Sequence, residues 1–133
     1  MRRIILRGLT LAAVLAISVG AFAAGNLAPQ TSSQSGVTVK VTPRSLAGAE
    51  SEFTIVFDTH SQDLKDDLLT SAVLVIDGGA PSAPIGWQGD APGGHHRKGV
   101  LRFKAAAASP AMVELRLQRP AESEPRVFRW QLR

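Results

Sequence analysis

The chain has 133 residues, enough for one domain, with 15 basic and 11 acidic residues, three histidines and no cysteine. The missing cysteine excludes disulfide staples and a lipid-modified N-terminal cysteine, so stability must come from an apolar core. The excess positive charge belongs to the start of the chain. Arg2, Arg3 and Arg7 lie before residue 24, which leaves 12 basic against 11 acidic residues over the other 110. That near-neutral balance does not suit a nucleic-acid partner, which needs a basic surface.

Residues 1–23 have the order of a secretory signal peptide: a basic start, an apolar run, then Ala21-Phe22-Ala23 as a small-x-small cleavage pattern. The apolar stretch over 8–24 has 17 residues, short of the roughly 20 that a spanning helix needs. The mature protein is therefore expected in the periplasm or secreted, with no membrane span after cleavage. Residues 24–35, AGNLAPQTSSQS, are small and polar and read as a flexible linker. Residues 36–133 read as the folded domain.

Within that domain the apolar residues alternate, the period of half-buried strands. Val37, Val39 and Val41 share a face, and Pro43 ends the run. Phe53, Ile55 and Phe57 share the next. A helical turn is expected in SQDLKDDLL at 61–69, with Ser61 as cap, Asp63 in the first turn and Leu64 and Leu68 at i, i+4. The acidic residues Asp63, Asp66 and Asp67 lack calcium-loop spacing and read as a solvated helix face. Residues 72–77, AVLVID, are apolar on both faces, as in a central strand. Ile85 and Trp87 suggest a further strand over 85–88, at an edge because of Pro84. Leu101 and Phe103, then Val113, Leu115 and Leu117, then Phe128, Trp130 and Leu132 complete the series. Six to seven short strands with Gly/Pro turns predict an all-β fold, an immunoglobulin-like antiparallel β-sandwich with one short helical turn. A small barrel is the alternative.

The histidines carry the one hint of a site. His60 follows the Phe53 strand; His95 and His96 follow Gly93-Gly94 and precede the Leu101 strand. If residues 85–88 form a strand, the direction alternates so that both loops reach one end of the sandwich. If not, they lie about 17 Å apart, a strand length. Imidazole with carboxylate suits a divalent transition metal such as copper or zinc. The candidate ligands are His60, His95, His96 and Asp58, with Asp90 nearby. His95 and His96 can share an ion only if the backbone turns between them, which the glycine pair permits. Trp87 and Arg97 are candidates for contact with an envelope or secreted protein, because Trp and Arg are favoured at binding hot spots. No G-x-S-x-G elbow, phosphate loop or dinucleotide fingerprint is present, so a non-catalytic protein is expected.

The segments DTHS at 58–61, W-x-G-x-x-PGGHHR-x-G-V-L-x-F over 87–103, and R-x-F-x-W over 126–130 resemble a group of small exported prokaryotic proteins. The resemblance spans residues 37–132. It implies an extracytoplasmic β-sandwich and no catalytic residue.

Overall fold

The computed structural model describes residues 27–46, 48–105 and 109–133. The segment read as a signal peptide lies outside them. Among the described residues no helix is long and apolar enough to cross a membrane.

The elements are β1 (Gln30–Gln34), β2 (Val37–Ser45), β3 (Glu50–Thr59), α1 (Leu68–Ser71), β4 (Ala72–Ile76), β5 (Gly86–Gly89), β6 (His96–Lys104), β7 (Met112–Leu117) and β8 (Arg126–Gln131). They form two antiparallel sheets, one ordered β1-β2-β3-β6-β5 and the other β4-β7-β8. Setting β1 aside, the seven remaining strands fall in the order first-second-fifth-fourth and third-sixth-seventh. That is the strand arrangement of a constant-type immunoglobulin sandwich. The architecture read from alternation is therefore the one present.

The alternation works because successive strand residues point to opposite faces, so one face of each strand can be wholly apolar. Val37, Val39, Val41, Phe53, Ile55, Phe57, Leu101 and Phe103 from the large sheet meet Leu74, Val113, Leu115, Phe128 and Trp130 from the small one. Phe53 sits between the layers. It meets Phe103 edge-on at 5.9 Å and Trp130 at 5.6 Å with a 40° tilt. The Phe53–Trp130 contact ties the two layers together, and removing such a ring typically costs about 3–5 kcal/mol.

Four local features differ from the sequence reading. Among the described residues there are eight strands, because residues 30–34 of the expected linker form β1. Ser35 and Gly36 both have positive φ, 52° and 75°, and close a two-residue hairpin that registers Gln34 opposite Val37. The polar composition of β1 hid it, since an edge strand can form from main-chain bonds alone. Second, the strand at 72–76 is an edge of the small sheet, not central. Its free side is covered by a bridge between Leu74 and Ser82, and Val75 is only 5% exposed although it faces outward beside Glu114.

Third, the helical turn starts later than expected. It covers Leu68–Ser71, and Asp67, not Ser61, caps it by accepting from Leu69 N–H. Residues 62–67 have no helical structure because their backbone is engaged elsewhere. Leu64 N–H donates to Gly94 O at 3.0 Å, and Gly93 N–H donates to Leu64 O at 2.7 Å. Fourth, Asp66 is not on a solvated face; it is 1% exposed. The edge strand expected at 85–88 lies one residue later as β5, at the sheet edge, paired antiparallel with β6.

Candidate functional site at the loop pole

Because β5 pairs with β6 and β6 with β3, four connections gather at one pole. These are the β1–β2 turn, residues 60–67 before α1, the β5–β6 loop and residues 118–125 between β7 and β8. Asp58 registers directly opposite His96, and Thr59 N–H donates to His95 O at 2.9 Å. His60 is the next residue. The structure thus brings Asp58, His60, His95 and His96 to a common rim, all exposed.

Their side chains do not form one constellation. His96 Nδ1 contacts the Asp58 carboxylate on the outward face of the large sheet. His95 belongs to the Asp63 side of the loop. The Asp63 carboxyl is held below its usual range mainly by the Gly94 N–H, which donates at 2.7 Å, then by Lys65, with a smaller contribution from His95. Among the described residues no three His, Cys, Asp or Glu side chains group closely enough to hold a metal ion. Asp90 is occupied by the hairpin: its carboxylate accepts from Lys98 N–H, and its carbonyl accepts from Trp87 Nε1 and Arg97 Nε, both at 3.1 Å. The loop itself needs its glycines, since Gly93 and Gly94 have φ of 120° and 75°.

Arg97 is not on the surface. It is 2% exposed, lies 5.2 Å from the Trp87 ring centroid and donates to the Asp66 carbonyl. Half-buried Trp87 packs against the core. Together they form the footing of the PGGHHR loop.

Beneath the rim lies a set of buried charges that the sequence reading missed. Asp66 accepts two hydrogen bonds from Arg119, at 2.9 and 3.0 Å. Arg119 also meets Glu122 at 3.2 Å, and Glu122 binds Arg126 at 2.8 and 2.9 Å. Arg126 then donates to the carbonyls of Ser32, Gln34 and Val37, each at 2.9 Å. The Arg126 guanidinium pulls Glu122 down to about 2, with help from the Gln34 amide and against the effect of burial. One signal for these residues was in the sequence. Arg97 and Arg126 fall in phase with the core positions of their own strands, Arg97 with Leu101 and Arg126 with Phe128. An arginine in that phase at a strand end points into the protein, where loop carbonyls need donors.

No protein-family model, curated protein or solved structure matches this chain.

Proposed function

We propose that this chain is an exported, non-catalytic β-sandwich that works as a binding module, presenting its four-loop pole to an envelope or secreted protein. One observation carries the reading. Asp66, Arg97, Arg119 and Arg126 are all buried at that pole, and Glu114 is the only other buried charged residue among those described. Burying ion pairs is a poor route to stability, since apolar packing of equal volume does as well or better. What such a network does provide is fixed loop geometry, and a preorganised surface loses less entropy on association. The rim over it is exposed and polar, with Asp58, His60, His95 and His96 outermost; Trp87 and Arg97 act by holding the loop.

The test is recovery of a partner from envelope and secreted fractions in the presence of chelator. A triple His60→Ala/His95→Ala/His96→Ala variant should lose the partner, and Gln131→Ala, exposed at the far end of β8, should keep it. Equal recovery by both refutes the reading. A copper or zinc site is the second reading. It is favoured by the Asp58–His96 contact, because a carboxylate on Nδ1 orients an imidazole whose Nε2 can bind metal. Metal titration of untagged protein separates the two: tighter copper or zinc binding by the wild type than by His60→Ala and His96→Ala supports the metal, and equal binding removes it.

A further inference from the structure

The outward face of the five-stranded sheet carries a charge pattern that extends away from the loop pole. β2 contributes Lys40 and Arg44; β6 contributes Lys98, Arg102 and Lys104. Arg102 pairs with Glu50 at 3.5 Å. Lys40, Arg44, Lys98 and Lys104 are exposed, and none has an ion pair among the described residues. The strand between the two basic rows is β3. Its outward residues Thr54 and Val56 register with Thr42 and Lys40 on one side and with Val100 and Lys98 on the other. Of the carboxylates on this face, Glu50 is bound to Arg102 and Asp58 to His96, which leaves Glu52. The outer face of the small sheet is different: Arg116 and Arg129 are both joined to Glu114.

We infer that this outer face docks on an anionic phospholipid bilayer. The two basic rows are two strands apart, about 10 Å, on a sheet about 19 Å wide. The strip between them, Thr54 and Val56, is short-chained and half-buried. No aromatic residue points outward from it, and the aromatic anchors of a protein hot spot are therefore missing. Three of its four unpaired cations are lysines, mobile point charges that suit laterally mobile phosphates better than a fixed bidentate partner. Each basic residue near an anionic membrane strengthens binding about fivefold.

The experiment is co-sedimentation of residues 24–133, which contain every strand and core residue described, with lipid vesicles. Leaving out the apolar segment 8–24 prevents it from carrying the binding. Phosphatidylcholine vesicles containing phosphatidylglycerol should pellet the protein, and phosphatidylcholine alone should not. Binding should weaken as salt shortens the screening length from about 10 Å at 0.1 M to about 3 Å at 1 M. Lys40→Ala/Lys98→Ala should reduce partitioning about 25-fold, two steps of about fivefold, with an unchanged urea midpoint. Lys65→Ala, at the loop pole, should have little effect. Equal pelleting with both vesicle types, undiminished binding of the double variant, or binding only to soluble dextran sulfate would each overturn the inference. None of these outcomes depends on the partner-recovery result.

Discussion

Gly99 decides how Trp87 sits. A Cβ there would lie 2.5 and 2.6 Å from two indole carbons and 2.9 Å from the Gln88 carbonyl, all closer than atoms can pack. The indole is thus seated on bare backbone, with the Arg97 guanidinium stacked 5.2 Å from its centroid. Gly99→Ala should push the ring out, release Arg97 from the Asp90 carbonyl and destabilise the protein by about 1–3 kcal/mol, as overpacking does. Urea unfolding followed by tryptophan fluorescence measures both effects; a native midpoint would show that the ring has room to shift. The sequence offers Trp87 either as a cap on the core or as a contact residue, and Arg97 as a surface contact; Trp87 packs on the core and Arg97 is buried. Residue type alone does not say whether a guanidinium meets a partner or its own chain. That depends on strand phase and on which carbonyls the neighbouring loops leave unpaired.

At the scale of elements, β1 shows what hydrophobic patterning overlooks. Its residues, QTSSQ, bury no apolar side chain. It is held by its ladder to β2, by Arg126 and by Gln30, whose carboxamide both donates to Arg129 O and accepts from Arg129 N–H on β8. Gln30 thereby satisfies an otherwise open stretch of the β8 edge. Arg126→Met keeps the bulk and removes the donors to Ser32, Gln34 and Val37. Each stranded carbonyl costs about 1–3 kcal/mol. Amide exchange across β1 should accelerate at least tenfold, with β3 and β6 little changed; unchanged β1 protection would mean that the ladder alone holds the strand. The helix is the converse case. Leu64 and Leu68 are both buried as the i, i+4 spacing suggested, but Leu64 reaches the core from an extended segment paired with the glycine loop. A short apolar spacing fixes which residues go inside without fixing the backbone that carries them.

For the molecule as a whole, the hydrogen-bonded carboxyl groups set the response to acid. Glu122 titrates near 4.5 when free and at about 2 in the fold, chiefly through Arg126. Asp63 is lowered by the Gly94 N–H, and Glu114 by its hydrogen bond with Arg129. A carboxyl held low binds fewer protons folded than unfolded, so its contribution is complete above the unfolded pKa and is lost as pH falls toward the folded one. Stability should therefore be level from neutrality to about pH 4.5 and drop between about 4.5 and 2. Glu122→Gln should start lower at pH 7 and fall less steeply. Urea midpoints across that range check it; parallel curves for the two proteins would show that other groups dominate.

The sequence by itself determined the sandwich. Alternation assigns an inward and an outward face to each strand, and glycine and proline mark most turns, so the core residues and the reversal of direction follow from local chemistry. It also determined which end would carry the histidines, once residues near 85–88 were taken as a strand. Only the tertiary structure decided what lies there. The Asp58–His96 contact, the inward arginines and the Asp66–Arg119–Glu122–Arg126 chain join residues up to 94 positions apart, between Ser32 and Arg126. Ionic and hydrogen-bonded partners across such separations obey no sequence period. They are set by the direction in which each side chain leaves its strand and by the donors and acceptors that loop backbones leave open.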